Sequence, residues 1–263
     1  MKTLLSFALL FMVVIRANAD CSDNGLSVFP GGKTIRQNTI IMIQGYASSQ
    51  WIVTKLGKAY PVYLKSGDTK VNLVVKETLM GQFDLTQAIL EPESGLKTGL
   101  KYELIIDNLP EHEHFERWNS TIREYEPFIF EVIEGEDTEK PLFLSRPQEI
   151  SKSIAYFGCG PAMSVNFSCL VSDSSEFLVK ATVKNLVTGV STPYYIGHGD
   201  STVSIGHNMC SGAFVFKGND DYEVTFALLD VAGNSTEWVG EPIKFTKPEE
   251  AERKKPVITI EDK

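Results

Sequence analysis

Basic clusters, long apolar runs and paired-cysteine motifs are what this 263-residue chain has little of. It carries 25 Lys and Arg against 34 Asp and Glu, a formal net charge of −9. Gripping a nucleic-acid backbone draws on clustered Lys and Arg, so no nucleic-acid partner is expected. No apolar stretch reaches the roughly 20 residues that a spanning helix needs, so no membrane span is expected either. No Cys-x-x-Cys occurs among Cys21, Cys159, Cys169 and Cys210, which argues against a thioredoxin-like redox site and against paired zinc knuckles. Gly-x-Ser-x-Gly, His-Glu-x-x-His and phosphate-loop patterns are absent as well. The chain reads as a non-enzyme that uses no cofactor.

The N-terminus reads as a targeting segment. Lys2 precedes an apolar run, Leu4 to Ile15, interrupted only by Ser6, and Ala17-Asn18-Ala19 supplies a small-x-small cleavage site. A signal peptide cut after Ala19 would leave 244 residues and, with Lys2 and Arg16 gone, a net charge of −11. Lipid attachment at Cys21 is disfavoured, because Asn18-Ala19-Asp20 is the wrong approach to a lipidated Cys. The expected location is secreted or periplasmic. At about 100–150 residues per domain the remainder suggests two domains.

Hydrophobic residues recur with a period of two. Tyr102, Leu104 and Ile106 alternate with Glu103, Ile105 and Asp107; Val165, Phe167 and Cys169 alternate with Asn166, Ser168 and Leu170. The same rule holds for Val71–Lys76, Phe177–Lys184 and Tyr222–Leu228. Such alternation puts one set of side chains on a core and the other toward water, the pattern of a half-buried antiparallel strand. Turn residues punctuate the runs, as in Pro30-Gly31-Gly32, Ser66-Gly67-Asp68, Thr188-Gly189 and Ala232-Gly233-Asn234. A further strand is expected at Phe214-Val215-Phe216, and a solvated helix only in the tail, where Glu249/Arg253 and Glu250/Lys254 are four apart. The acidic stretch Glu134–Pro141 is the natural boundary. It gives a signal peptide over 1–19, a first domain over 20–138, a second over 139–247 and a charged tail over 248–263.

Two motifs carry a family resemblance. Leu96–Tyr102 followed by Leu104 and Ile106 resembles the tyrosine corner of fibronectin type III and related immunoglobulin-like domains, in which the Tyr hydroxyl bonds to upstream backbone. Phe216-Lys217-Gly218 leading to Tyr222 is the matching place in the second half, with a spacing one residue longer. Asp230-Val231-Ala232-Gly233-Asn234 resembles the turn between the last two strands of bacterial immunoglobulin-like repeats. There Asp230 and Asn234 would cap the turn with their own side chains, and Gly233 or Asn234 would take the positive φ it needs. The resemblance implies an all-β fold of two tandem immunoglobulin-like, fibronectin type III-like β-sandwiches. No core Trp pairs with an inter-sheet disulfide, so an antibody-like domain is not implied.

Candidate sites are few. His112 and His114 flank Glu113 in a stretch where Glu103 to Asp137 holds eleven carboxylates against Arg117 and Arg123. On extended backbone the two imidazoles point the same way and are placed to share a metal, although a solvated acidic loop is the commoner fate of such a stretch. His198 and His207 flank Ser201–Ile205 with no catalytic motif beside them. Trp51, Trp118 and Trp238 fall in or beside expected loops, as stacking faces for a sugar or as edge packing. Asn119, Asn166 and Asn234 each begin an Asn-x-Ser/Thr sequon, left unassigned. Cys159 and Cys210, with flexible neighbours in one domain, are the favoured disulfide, which leaves Cys21 free or reaching across to Cys169; a Cys21–Cys210 bridge between domains is the alternative. The expected function is an exported, non-catalytic binding, adhesive or structural module with a protein or glycan partner. The alternatives are a metal or carbohydrate binder using the His112/His114 loop or the Trp-bearing loops, and a periplasmic chaperone-like protein. Pilus chaperones also join two sandwiches in about 240 residues, but around a basic cleft that this acidic chain does not advertise.

Overall fold

The structure, a computed structural model, describes residues 24–197, 201–218 and 220–249. The signal-peptide segment, Cys21, His198 and the tail beyond Glu249 lie outside the described residues. The described chain is all-β apart from one short helical stretch.

The first half contains β1 (Gly25–Phe29), β2 (Thr34–Ile35), β3 (Ile41–Tyr46), β4 (Val62–Ser66), β5 (Thr69–Met80), β6 (Leu85–Pro92), β7 (Lys101–Ile106), β8 (Arg117–Asn119), β9 (Glu124–Glu126) and β10 (Ile129–Val132). A four-residue helix, α1 (Gln50–Val53), follows β3. Eight of these strands run in the order β1-β3-β6-β5-β4-β7-β10-β2. Strand β5 belongs to both wings of this sheet. Its first residues pair with β4 and those from Leu73 onward pair with β6, with a register shift between Val75 and Glu77. A bulge of this kind raises the local twist and turns a long strand from one layer to the next. The two wings meet across one core that includes Ile41, Ile43, Leu64, Leu90, Tyr102, Leu104 and Phe130.

The second half contains β11 (Leu142–Phe143), β12 (Gln148–Phe157), β13 (Gly160–Ser168), β14 (Val171–Ser172), β15 (Phe177–Asn185), β16 (Ser191–Gly197), β17 (Thr202–His207), β18 (Asp221–Asp230), β19 (Ser235–Glu237) and β20 (Ile243–Thr246). One sheet is β12-β13-β17. The other is β16-β15-β18-β19, with β20 also pairing β18. Val165, Phe167, Val203 and Ile205 from the first sheet meet Val179, Ala181, Val224 and Phe226 from the second, with Phe167 edge-on to Phe226 and Phe245. Burying each of these Val, Ile and Phe side chains contributes about 1.5–3 kcal/mol. The segment Phe214–Phe216 differs from expectation. It is extended and its two Phe rings are buried, but it forms no strand, because its polar backbone partners come from the first half. Val215 N–H donates to Gln82 Oε1, and Gln82 N–H donates to the neighbouring Ala213 carbonyl.

The halves share an extensive seam. Residues Thr86 to Leu90 of β6 are buried on both faces, the outer one against Leu178 and Tyr195 in a cluster with Ile40, Met42 and Ile89. Gln87, 2% exposed, substitutes for a strand: its Nε2 donates to Tyr195 O and its Oε1 accepts from Tyr195 N, both at 2.8 Å. Glu77 accepts from Lys180 Nζ at 2.6 Å and from the Tyr195 hydroxyl at 2.8 Å. Burial first, then the Glu77 carboxylate, holds that hydroxyl in its neutral form. The Glu176 carboxylate accepts from the Gly31 and Gly32 amides at 2.9 and 2.8 Å, and a Cβ on Gly32 would stand 2.5 Å from it. The acidic connector is tied down as well. Asp137 exchanges backbone hydrogen bonds with the Asn38 side chain, and its carbonyl also accepts from Asn234 Nδ2.

Candidate functional site

Alternation decides what the outer face of the β12-β13-β17 sheet offers. Residues directly opposed in an antiparallel ladder share a face. Ser153 opposes Ser164, which opposes Gly206, and Ala155 opposes Ala162. This row lies on the face away from Val165 and Ile205, and it consists of small residues. Gly206 has φ 148°, and a Cβ there would collide with the Met163 carbonyl, so only glycine lets β17 approach β13 at that point.

The row forms one side of a cleft of about 520 Å³. Gln44, Tyr46 and Leu85 of the first half line it too, as do Tyr194–Gly197 of β16 and Phe157 at the end of β12. Phe157 is 54% exposed, a large aromatic face turned to solvent beside the cleft. The lining among the described residues contains no Asp, Glu, Lys or Arg; His207 and tyrosines are its titratable groups. The Tyr194 hydroxyl is sealed from solvent with no hydrogen-bond partner, and the Gly206 amide is the polar group beside it. Burial holds that hydroxyl in its neutral form, well above its ordinary pKa. Gln44, in contrast, is fully engaged with Ser27, Tyr46 and Gln87. The volume lies within the usual 300–1,000 Å³ range of small-molecule sites, and the lining mixes apolar surface with a few convergent hydroxyls.

The residues singled out from sequence lie elsewhere. His112 and His114 are exposed, whereas Glu113 between them turns inward, where its Oε2 accepts from Ser49 Oγ at 2.7 Å. Among the described residues no group of three or more His, Cys, Asp or Glu side chains is arranged to hold a metal ion. His207 ends β17 and lines the cleft, its Nδ1 donating to the Asn208 carbonyl at 2.7 Å and its ring edge-on to Phe83. Two tryptophans are not in loops. Trp51 sits on α1 beneath Lys55, and Trp118 lies on β8, edge-on to Tyr125. Trp238 packs against Phe143. None of the three lines the cleft. Asn119 caps the β8–β9 turn, Asn166 bridges Ser151 and Ser204, and Asn234 is held by Asp230 and Asp137.

The turn and corner residues have definite partners. The Tyr102 hydroxyl accepts from Lys97 N at 3.2 Å, and the Tyr222 hydroxyl accepts from Lys217 N at 2.7 Å. Both amides are five residues upstream, so the extra residue in the second motif leaves the bond unchanged. Asp230 Oδ1 accepts from Ala232 N and Asn234 N at 2.8 Å, Oδ2 accepts from Asn234 Nδ2, and Gly233 has φ 87°. The favoured disulfide is corrected. No two cysteines among the described residues stand at disulfide distance, so Cys159–Cys210 is not made. Cys159 is half-buried at the β12–β13 turn, whereas Cys210 is buried in a turn where Asn208 Oδ1 holds its amide. Cys210 is itself a disulfide cysteine, and the alternative partner read from sequence, Cys21, is outside the described residues.

No protein-family model matches this chain, and no curated protein does. Among solved structures it is similar to a type I pullulanase from Bacillus subtilis str. 168 complexed with maltose, with a TM-score of 0.26 and 9% identity over 84% of this chain and 24% of that one. It is also similar to a pullulanase from Anoxybacillus sp. LM18-11 complexed with maltotriose, with a TM-score of 0.22 and 9% identity over 73% of this chain and 23% of that one. Scores this low define neither a shared fold nor a function.

Proposed function

We propose that this chain is an exported, non-catalytic binding module, built of two immunoglobulin-like β-sandwiches divided near residue 138, that takes its ligand in the cleft between them. One observation carries the reading: the cleft is a concave site whose described lining has no carboxylate, Lys or Arg. General acid–base or nucleophilic chemistry needs a proton-transfer group within about 3 Å of the reacting atoms, usually oriented by a second group. His207 is the imidazole in the lining, and a backbone carbonyl occupies its Nδ1. A chaperone-like role would call for a basic cleft, and this one is uncharged. The paired Tyr102 and Tyr222 hydroxyl bonds and the Asp230 turn support the sandwich reading.

Ser164→Trp tests the site. Its side chain is on the outer face of β13, so a Trp there fills the cleft and leaves the core intact. A small molecule that raises the melting temperature of the native chain should lose that effect in Ser164→Trp, and an equal effect in both proteins overturns the reading. Export is tested separately. The mature N-terminus from a secreting host should be Asp20, and an uncleaved or lipidated chain overturns that part.

A further inference from the structure

We propose that the cleft takes a neutral saccharide of two or three rings, with Tyr194, Ser153 and Ser164 supplying the polar recognition and Phe157 the stacking face; this rests on reading the cleft as the binding site. The charge argument comes first. An ionic ligand would be desolvated here with no counter-charge among the described lining residues. An anion would also approach against the net charge of −9. The ligand must therefore be neutral.

The second argument is hydrogen-bonding capacity. Tyr194 is 3% exposed, and its buried hydroxyl donates to no acceptor, with the Gly206 amide as the polar group beside its oxygen. Buried polar groups are almost always satisfied, so an exception on the wall of a cleft marks an unfilled partner position. Ser153 and Ser164 face each other across the β12–β13 ladder and line the cleft. Three hydroxyls that both donate and accept suit the hydroxyls of a sugar, which do the same. Around them, Ala155, Ala162 and Gly206 leave a flat surface, and Phe157 offers an aromatic face for the apolar C–H side of a ring.

The test is calorimetric titration of the intact chain with cellotriose, xylotriose and chitotriose as neutral probes. Trigalacturonate is the anionic control and a phenylalanine-containing dipeptide the peptide control. At least one neutral trisaccharide should bind. Tyr194→Phe should weaken that binding about tenfold and Phe157→Ala about five- to tenfold, amounts expected for one hydrogen bond or one stacking face. Ser164→Trp should abolish it. Phe157 is exposed and Tyr194→Phe removes one oxygen, so neither change threatens folding. Binding of trigalacturonate or the dipeptide, but of no neutral sugar, in a manner that Ser164→Trp abolishes overturns the saccharide inference and leaves the cleft reading standing. Sugar binding that Ser164→Trp does not alter overturns the cleft reading. No binding of any probe at millimolar concentration overturns both.

Discussion

Cys169 has no exposed surface, and burial pushes its thiol up to about 11 from an ordinary 9.0. A raised acid stays neutral in the fold while the unfolded chain ionises. Its contribution to stability is therefore complete below pH 9 and is lost as pH rises to about 11. Between pH 8 and pH 11 the native chain should lose more stability than Cys169→Ala, measured by urea unfolding, and the native thiol should resist iodoacetamide at pH 8. At Asp230 the balance is different. Burial raises the carboxyl, while three hydrogen bonds from Ala232 and Asn234 oppose that rise. Asp230→Ala should cost about 2–3 kcal/mol, because it orphans donors in a half-closed turn. Tyr194→Phe should do much less in the absence of ligand. Its hydroxyl donates to no acceptor and meets only the Gly206 amide, so its removal should change stability by no more than about 1 kcal/mol.

Among the elements, β6 and β16 depend on side chains that stand in for backbone. Gln87 satisfies both the amide and the carbonyl of Tyr195, and the Gln82 side chain accepts from the Val215 amide. Gln87→Leu keeps the volume but leaves two buried backbone groups unpaired. It should cost about 2–4 kcal/mol in equilibrium unfolding, more than an exposed Gln→Leu change such as that at Gln148. What the sequence disclosed follows the same division. Strand parity was legible wherever one face meets a core, as at Val165, Phe167 and Cys169, because burial imposes a period of two. The Asp230 turn and the Tyr102 and Tyr222 bonds were legible because each is made within five residues. The seam was not, since Gln82, Gln87 and Glu176 are single polar residues whose partners lie more than 100 positions away in sequence or in unrelated loops, and no local pattern announces them. The cleft was hidden for a related reason. Its small residues alternate in β12 and β13 as in any exposed strand, and only the approach of β3 and β16 makes them a wall. Four-residue α1 is too short to show a helical period.

At the scale of the whole molecule, the seam should make unfolding a single event. The cluster around Ile40, Met42, Ile89, Leu178 and Tyr195 belongs to both halves, and separating them would expose it to water. Scanning calorimetry should show one transition with equal van't Hoff and calorimetric enthalpies, and two resolved transitions would contradict this. Excised residues 139–247 should be soluble only with added polar substitutions at Leu178 and Leu229. The way Asn38 and Asn234 grip Asp137 has a last consequence. A connector bonded to both sides resists acting as a pivot, so a ligand that binds as proposed should meet a cleft already in its receptive shape. Association should then proceed at the rate of diffusive encounter, with no slow step that saturates at high ligand concentration. Little chain entropy would be surrendered on binding, and the scattering profiles of the empty and occupied protein should superimpose.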